Sequence, residues 1–373
     1  MSNHRFLRFH AAGKAGIGLT VKKRAGTYVY EAKDPAAMAK AAKAAAKLLQ
    51  QGKLVAFPTE TVYGLGANAW DEKAVEKIFF AKGRPADNPL IVHISGPRQL
   101  EALADPIPAE AWLLAERFWP GPLTLVLPKK TQVPDVVTGG LKTVAVRIPR
   151  HPVALALLQE ADLPLAAPSA NLSGRPSPTT AEHVLTDLAG RIEAVVDGGP
   201  CEVGLESTVL DLSRETPQIL RPGAVTAQEI SELLGQNCVL TRWQEESGAK
   251  PPSPGLKYLH YAPQAPLYLL RGEPQRLVSG LQKEQQKWEA AGNKTGLLVS
   301  AETAPFLQSD YLLVLGSRTD PAGMAARLYD ALRRFDRLGV DVILAEGYPA
   351  TGVGLALMNR LQKAAGGRVI DLE

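Results

Sequence analysis

Short apolar runs recur along this 373-residue chain with helical stretches between them, and one Pro/Gly-rich interruption divides the pattern. The runs at 54–57, 90–94, 123–127, 143–148, 164–168, 193–196 and 207–212 each have the length of a buried strand. Helices are expected near 35–51, 72–81, 109–118, 152–160, 180–188 and 226–234. Asp34 is a good N-cap, Pro35 suits a first helical position and Gly52 ends the first helix; Asp71 caps the second. This mixed spacing predicts an α/β domain built on a mixed sheet over residues 31–235. Residues 236–265 lose the periodicity, and 248–255 are rich in Pro and Gly, as in an interdomain linker. Beyond it come runs at 267–270, 296–299, 311–315 and 342–345, with helices near 274–290, 321–337 and 354–364. They predict a smaller doubly wound α/β domain over 266–373.

Charge sets the N-terminus apart. Residues 1–30 carry six basic residues (Arg5, Arg8, Lys14, Lys22, Lys23, Arg24) and no acid, so a chain of net charge +4 stands at −2 outside them. The remainder is not a polycation built for non-specific nucleic-acid binding. Ser2 is the sole serine of that segment, unlike a transit peptide, and residues 1–30 read as a frayed basic extension. Cys201 and Cys238 supply neither a disulfide framework nor a zinc site, which suits a reducing cytoplasm. No apolar run approaches the roughly 18 residues that span a bilayer.

Three clusters carry chemistry. Segment 58–66 (Pro-Thr-Glu-Thr-Val-Tyr-Gly-Leu-Gly) follows a strand directly, where α/β sheets bind ligands. Its Gly64-x-Gly66-x-x-Ala69 matches the dinucleotide fingerprint loosely. The strand–glycine–helix geometry is missing, and so is an acid after the next strand. Around Gly83, Lys82 and Arg84 offer a mobile charge and a rigid fork for phosphate oxygens, with Asn88-Pro89 and a strand bearing His93 close behind. Singly, such a lysine or arginine is usually solvated, and His93 is more often a packed strand residue than a ligand. The third cluster, 166–174 with Ser177, ends a strand in a loop rich in Ser and Asn. Ser169 and Asn171 there can hold a ribose, a phosphate or a metal-bound water, or can merely cap a turn. Arg147 sits inside an apolar strand and needs a partner, either an anionic ligand or an internal carboxylate. Glu206-Ser207-Thr208 and Leu220-Arg221-Pro222-Gly223 add a hydroxyl and an arginine at strand edges. There is no Walker loop, no Ser/His/Asp elbow and no H-E-x-x-H.

In this order the clusters resemble the threonylcarbamoyl-AMP synthases of the YrdC-type superfamily. The resemblance rests on 58–66, Lys82-x-Arg84, Asn88-Pro89-Leu90, 119–126 (Trp-Pro-Gly-Pro-Leu-Thr-Leu-Val), Arg147-Ile148-Pro149, Ser169-x-Asn171 and 220–223, and covers about 35–235. The long two-domain form is suggested by 253–263 (Ser-Pro-Gly-Leu-Lys-Tyr-Leu-His-Tyr-Ala-Pro) and by Leu357-Met358-Asn359-Arg360. Leu256 and Leu259 depart from the usual Met and basic residue, at positions without assigned chemistry. The resemblance implies a YrdC-like twisted mixed sheet with helices, a linker folding over the active site, and a C-terminal Rossmann-like domain. It also implies a nucleotidyltransferase that joins L-threonine, bicarbonate (or CO2) and ATP into threonylcarbamoyl-AMP and pyrophosphate, with Mg2+ accompanying ATP. A downstream threonylcarbamoyl transferase complex would then modify an adenosine beside the anticodon of certain tRNAs. Contact with tRNA or double-stranded RNA is a further implication.

Carried over residue by residue, Thr61, His93, Arg147, Ala167 and Ser207 fall where threonine is held. Arg84, Asn88, Thr143, Ser169, Ser177, Arg221 and Tyr261 fall where ATP is held, and Lys82, Arg84, Ser169 and Asn171 form the catalytic signature. Three rivals stand beside this reading. A non-catalytic RNA-binding module sits poorly with the −2 charge outside the N-terminal segment. A carbamoyltransferase of hydrogenase maturation needs zinc-finger cysteines, and two cysteines are too few. A nicotinamide enzyme would have to use Gly64-x-Gly66.

Overall fold

The computed structural model describes residues 19–241, 251 and 260–372. Two sheets organise them. The larger has twelve strands, and its first six in spatial order are Val21–Arg24, Thr27–Glu31, Ala194–Asp197, Val55–Phe57, Gly64–Asn68 and Leu165–Ala166. Ile91–His93, Thr143–Arg147, Leu123–Pro128, Thr208–Asp211, Gln218–Arg221 and Val239–Leu240 complete it. Parallel and antiparallel pairs both occur, so the sheet is mixed as expected.

Helix Pro35–Gln50 shows how sequence becomes packing. The Asp34 carboxylate accepts from the Ala37 amide at 2.8 Å, and Pro35 opens the helix. Ala37, Ala41, Ala45 and Leu49 recur every fourth residue and are buried, while Lys40, Lys43 and Lys47 face solvent. Small side chains let this helix lie close against Pro152–Ala161.

Side-chain alternation divides the sheet's two faces. Leu125, Leu127, Val144, Val146, Val92 and Leu210 pack into the large helix-covered core. On the opposite face Ile91, Val126, Ala145, Val209 and Leu220 form a small apolar patch. Ile91 is followed two residues on by His93, and Ala145 by Arg147, so both polar side chains rise from that second face.

The second sheet has five strands, all parallel, in the order Leu312–Gly316, Thr295–Ser300, Val342–Glu346, Leu267–Arg271, Val369–Asp371. Helix Pro274–Ala290 covers one face and helices Pro321–Leu338 and Val353–Ala365 the other, which makes the domain doubly wound. The core beneath the helix pair also takes in Val62, Leu205 and Tyr261, so the two domains share one apolar interior.

Three sequence expectations change. The basic extension does not run to residue 30: Val21–Arg24 and Thr27–Glu31 form a hairpin that pairs onto Ala194–Asp197 at the sheet edge. The linker does not begin at 236, because Val239–Leu240 pairs with Gln218–Ile219. Lys82 is not past its helix but is the last residue of Glu72–Lys82, which Gly83 ends in the left-handed conformation at φ 61°. Gly64-x-Gly66, already discounted as a dinucleotide turn, lies within a strand, where a side chain at Gly66 would strike the Phe57 ring at 2.8 Å. No glycine turn for a dinucleotide exists there. Residues 253–259 of the linker motif lie outside the described residues.

Candidate active site

A cleft opens over the second face of the large sheet. Its lining includes Thr61, Arg84, His93, Arg147, Ala167, Ser169, Ser207, Arg221 and Tyr261, nine of the residues expected from sequence. Their side chains build two walls.

The first wall belongs wholly to the catalytic domain. Thr59 donates to the Val62 carbonyl at 2.7 Å and lies 2.8 Å from the Thr61 hydroxyl, folding the loop into a tight turn. Arg147 is 3% exposed and three groups hold it. Its Nη1 donates to Thr61 Oγ1 at 2.9 Å, Nε donates to the Gly121 carbonyl at 3.1 Å, and Nη2 lies 2.6 Å from Glu60 Oε1. The other oxygen of Glu60 accepts from the Arg150 amide at 3.0 Å. The sequence left open whether Arg147 answers an internal carboxylate or a ligand; it meets the carboxylate and still faces the cleft. Beside it, burial and then the Arg147 charge push His93 down to about 3, so its imidazole is neutral at physiological pH. His93 Nδ1 is buried with no hydrogen-bond partner among the described residues.

The second wall gathers distant segments. Arg84 Nη2 donates to the Asn88 and Pro89 carbonyls at 3.4 and 3.2 Å, which aims the guanidinium along the cleft. Asn88 itself is buried and absent from the lining, and neither polar atom of its side-chain amide has a hydrogen-bond partner among the described residues. Arg221 donates from Nε to the Ser207 carbonyl at 3.1 Å and from Nη2 to Ser207 Oγ at 3.2 Å. Ser207 Oγ also lies 2.7 Å from Thr124 Oγ1. Tyr261 covers this side at a positive φ of 65°, and the Ala262 amide behind it donates to the Gly174 carbonyl at 2.9 Å.

Not every expected residue touches the cleft. Lys82 lies behind it, 2% exposed, donating to the carbonyls of Ser169 and, at 2.6 Å, Asn171. Burial, then the nearby Arg84 charge, holds its ammonium well below the ordinary lysine range. In this setting it is a clamp on the loop that carries Ser169. Asn171 serves the same loop, donating to the Leu172 and Arg175 carbonyls at 2.7 and 3.0 Å. Ser177 reaches the cleft through Glu206, to which it donates at 2.5 Å. Thr143 stands at the opposite end of its strand from Arg147, roughly 13 Å away by strand rise, and is absent from the lining. Sequence reasoning gave no role to Thr59, Glu60, Glu206 or His260. All four sit inside the quoted motifs, so what the sequence lacked was their surroundings.

A family profile described as telomere recombination (Sua5/YciO/YrdC) matches residues 47–223, and one described as the C-terminal domain of threonylcarbamoyl-AMP synthase matches 225–366. The threonylcarbamoyl-AMP synthase of Bacillus subtilis (strain 168) is 54% identical over 330 residues, spanning 87% of this chain and 93% of that protein. The Pyrococcus abyssi enzyme of the same name is 51% identical over 328 residues, 88% of this chain and 95% of its own. The crystal structure of P. abyssi Sua5 complexed with L-threonine aligns with a TM-score of 0.87 at 48% identity, covering 92% of this chain and 99% of that one. This chain therefore belongs to the Sua5/YrdC-type threonylcarbamoyl-AMP synthase family, in its two-domain form. It is an enzyme of the nucleotidyltransferase-like class.

Proposed function

We propose that this chain makes threonylcarbamoyl-AMP and pyrophosphate from L-threonine, bicarbonate (or CO2) and ATP, for threonylcarbamoyladenosine modification of tRNA next to the anticodon. The observation that carries the reading is one cleft with three arginines, Arg84, Arg147 and Arg221, around the hydroxyls of Thr61, Ser169 and Ser207. The buried, unpartnered Nδ1 of His93, in the cleft lining, supports a polar occupant there.

The chemistry asks for such a site. Threonine's amine condenses with bicarbonate to a carbamate, releasing water. A carbamate oxygen then attacks the α-phosphorus of ATP, and the bond from that phosphorus to the bridging oxygen breaks as pyrophosphate leaves. Two anions must approach each other, so fixed cations lower the barrier and no protein nucleophile is required. In this reading Arg147, held by Glu60, takes the threonine carboxylate, with Thr61, neutral His93, Ser207 and the backbone at Ala167 around the rest. Arg84, Asn88, Ser169, Ser177, Arg221 and Tyr261 take the nucleotide, and the family resemblance adds Thr143.

Among the described residues no cluster of three or more His, Cys, Asp and Glu could hold a metal ion. The carboxylates at the cleft are committed to arginines. Mg2+ would accordingly enter on the phosphate oxygens of ATP, where it commonly resides. The reading places the chain in the cytoplasm, handing its product to a threonylcarbamoyl transferase and near its tRNA. No described helix is long and apolar enough to cross a membrane.

The test is pyrophosphate release from ATP and bicarbonate with and without threonine, with the adenylate identified by mass. Release that ignores threonine sinks the proposal.

A further inference from the structure

The Leu357–Arg360 motif is unexplained by the reaction, and it lies in the other domain. Helix Val353–Ala365 buries Arg360 completely. Every donor of this guanidinium group that makes a bond outside its own helix reaches the catalytic domain. Nε donates to Glu206 Oε2 at 2.8 Å, Nη1 to the Pro222 carbonyl at 2.9 Å and Nη2 to the Glu206 carbonyl at 3.3 Å. The guanidinium lies 5.7 Å from the centre of the Tyr261 ring. From helix Pro321–Leu338, Tyr329 donates to the Glu206 carboxylate at 2.9 Å, and its ring sits 5.4 Å from Tyr261. Glu206 in turn accepts from Ser177 and lines the cleft. One arginine thus touches three parts of the second wall: the carboxylate that holds Ser177, the turn after Arg221, and the tyrosine that covers the site.

We infer that Arg360, seconded by Tyr329, is a positioning residue for the nucleotide, and that the C-terminal domain completes the active site through Glu206 and Tyr261. The inference rests on the reading of this wall as the nucleotide side. Burial alone would raise the Glu206 carboxyl. The Arg360 and Arg221 charges and the Ser177 hydroxyl outweigh it and hold the group at about 2, so it stays an anion. The first wall draws no bond from Arg360. Its arginine is fixed by Glu60, Thr61 and Gly121.

The full chain is tested as Arg360→Met, Arg360→Lys and the double variant Arg360→Met/Glu206→Gln. For Arg360→Met, the KM for ATP should rise at least tenfold while the KM for threonine moves less than threefold. Arg360→Lys, which keeps the buried charge and loses the fork, should fall between wild type and Arg360→Met. Adding Glu206→Gln removes the stranded carboxylate and should recover thermal stability without recovering the KM for ATP. Recovery of both together would reduce Arg360 to a structural role and overturn the inference, as would equal rises in both KM values. Hydrogen exchange at the Ala262 amide gives a readout independent of the reaction. It should quicken in Arg360→Met, and unchanged protection counts against the inference. If the wild type releases no threonine-dependent pyrophosphate, the functional reading fails and the exchange result still decides the role of Arg360.

Discussion

The two walls of the cleft are built by different means. On one side, Arg147 and its three partners come from segments of a single domain, fixed by a buried ion pair and by strand geometry. On the other, Ser207 holds Arg221 and Glu206 holds Ser177, but Glu206 is itself fixed by Arg360 and Tyr329 from beyond the linker, and Tyr261 of the linker covers them. A wall within one domain is preformed; a wall across two depends on their docking. The first therefore suits a small substrate that needs an exact carboxylate seat, and the second a larger one that is covered after it enters.

The sharpest way to break this contrast is Arg147→Ala. It removes the cation of the preformed wall and strands Glu60, which is buried at 2% side-chain exposure. Threonine-dependent turnover should fall by about a thousandfold or more, and stability by about 3–5 kcal/mol. Steady-state kinetics and thermal melting check both, and retained threonine dependence would unseat Arg147. Next in size is Tyr261→Ala, which uncovers the shared wall. Calorimetric ATP affinity should drop about tenfold, about 1.4 kcal/mol, with threonine affinity nearly unchanged; a matching loss of both would erase the distinction between the walls.

The remaining effect is a pH dependence common to both, small for each step near neutrality. His93 on one wall and His260 on the other are each held at about 3, chiefly by burial. Their folded values lie below the unfolded one, so the unfolded chain takes up these protons first as pH falls. Stability is full above about 6.5 and is lost toward 3, by about 0.7 kcal/mol per histidine between pH 7 and 6 and about 1.4 per unit below that. Melting followed from pH 8 to 5 should show the slope, and His93→Gln or His260→Gln should each remove one proton from it. A flat profile in wild type would contradict the buried neutral state.

Much of this was legible in the sequence because it was local. Asp34, Asp71 and Gly52 announce helix ends within a few residues, and each apolar run became a strand. Strand Gly64–Asn68 escaped because two glycines and an asparagine carry no β-branched signal. The hairpin at 21–31 escaped because Ala25-Gly26 lacks the Asn-Gly signature, although both residues adopt the positive φ its turn requires. At the site, the cations and hydroxyls declared themselves by type. Glu60 and Glu206 did not: what makes them matter is Arg147 and Arg360, which lie far along the chain. Local pattern carries no record of such pairs.

The same hairpin has a consequence for the protein's solution behaviour. All four residues of Val21–Arg24 are exposed, and the strand closes one end of a twelve-stranded sheet. A free strand edge is a template for another molecule's backbone. Here an incoming copy of the same edge would set Lys22, Lys23 and Arg24 against their own likenesses, an unfavourable cross-strand match. The basic segment thus guards the rim of the sheet, keeping it from growing by addition of its own kind.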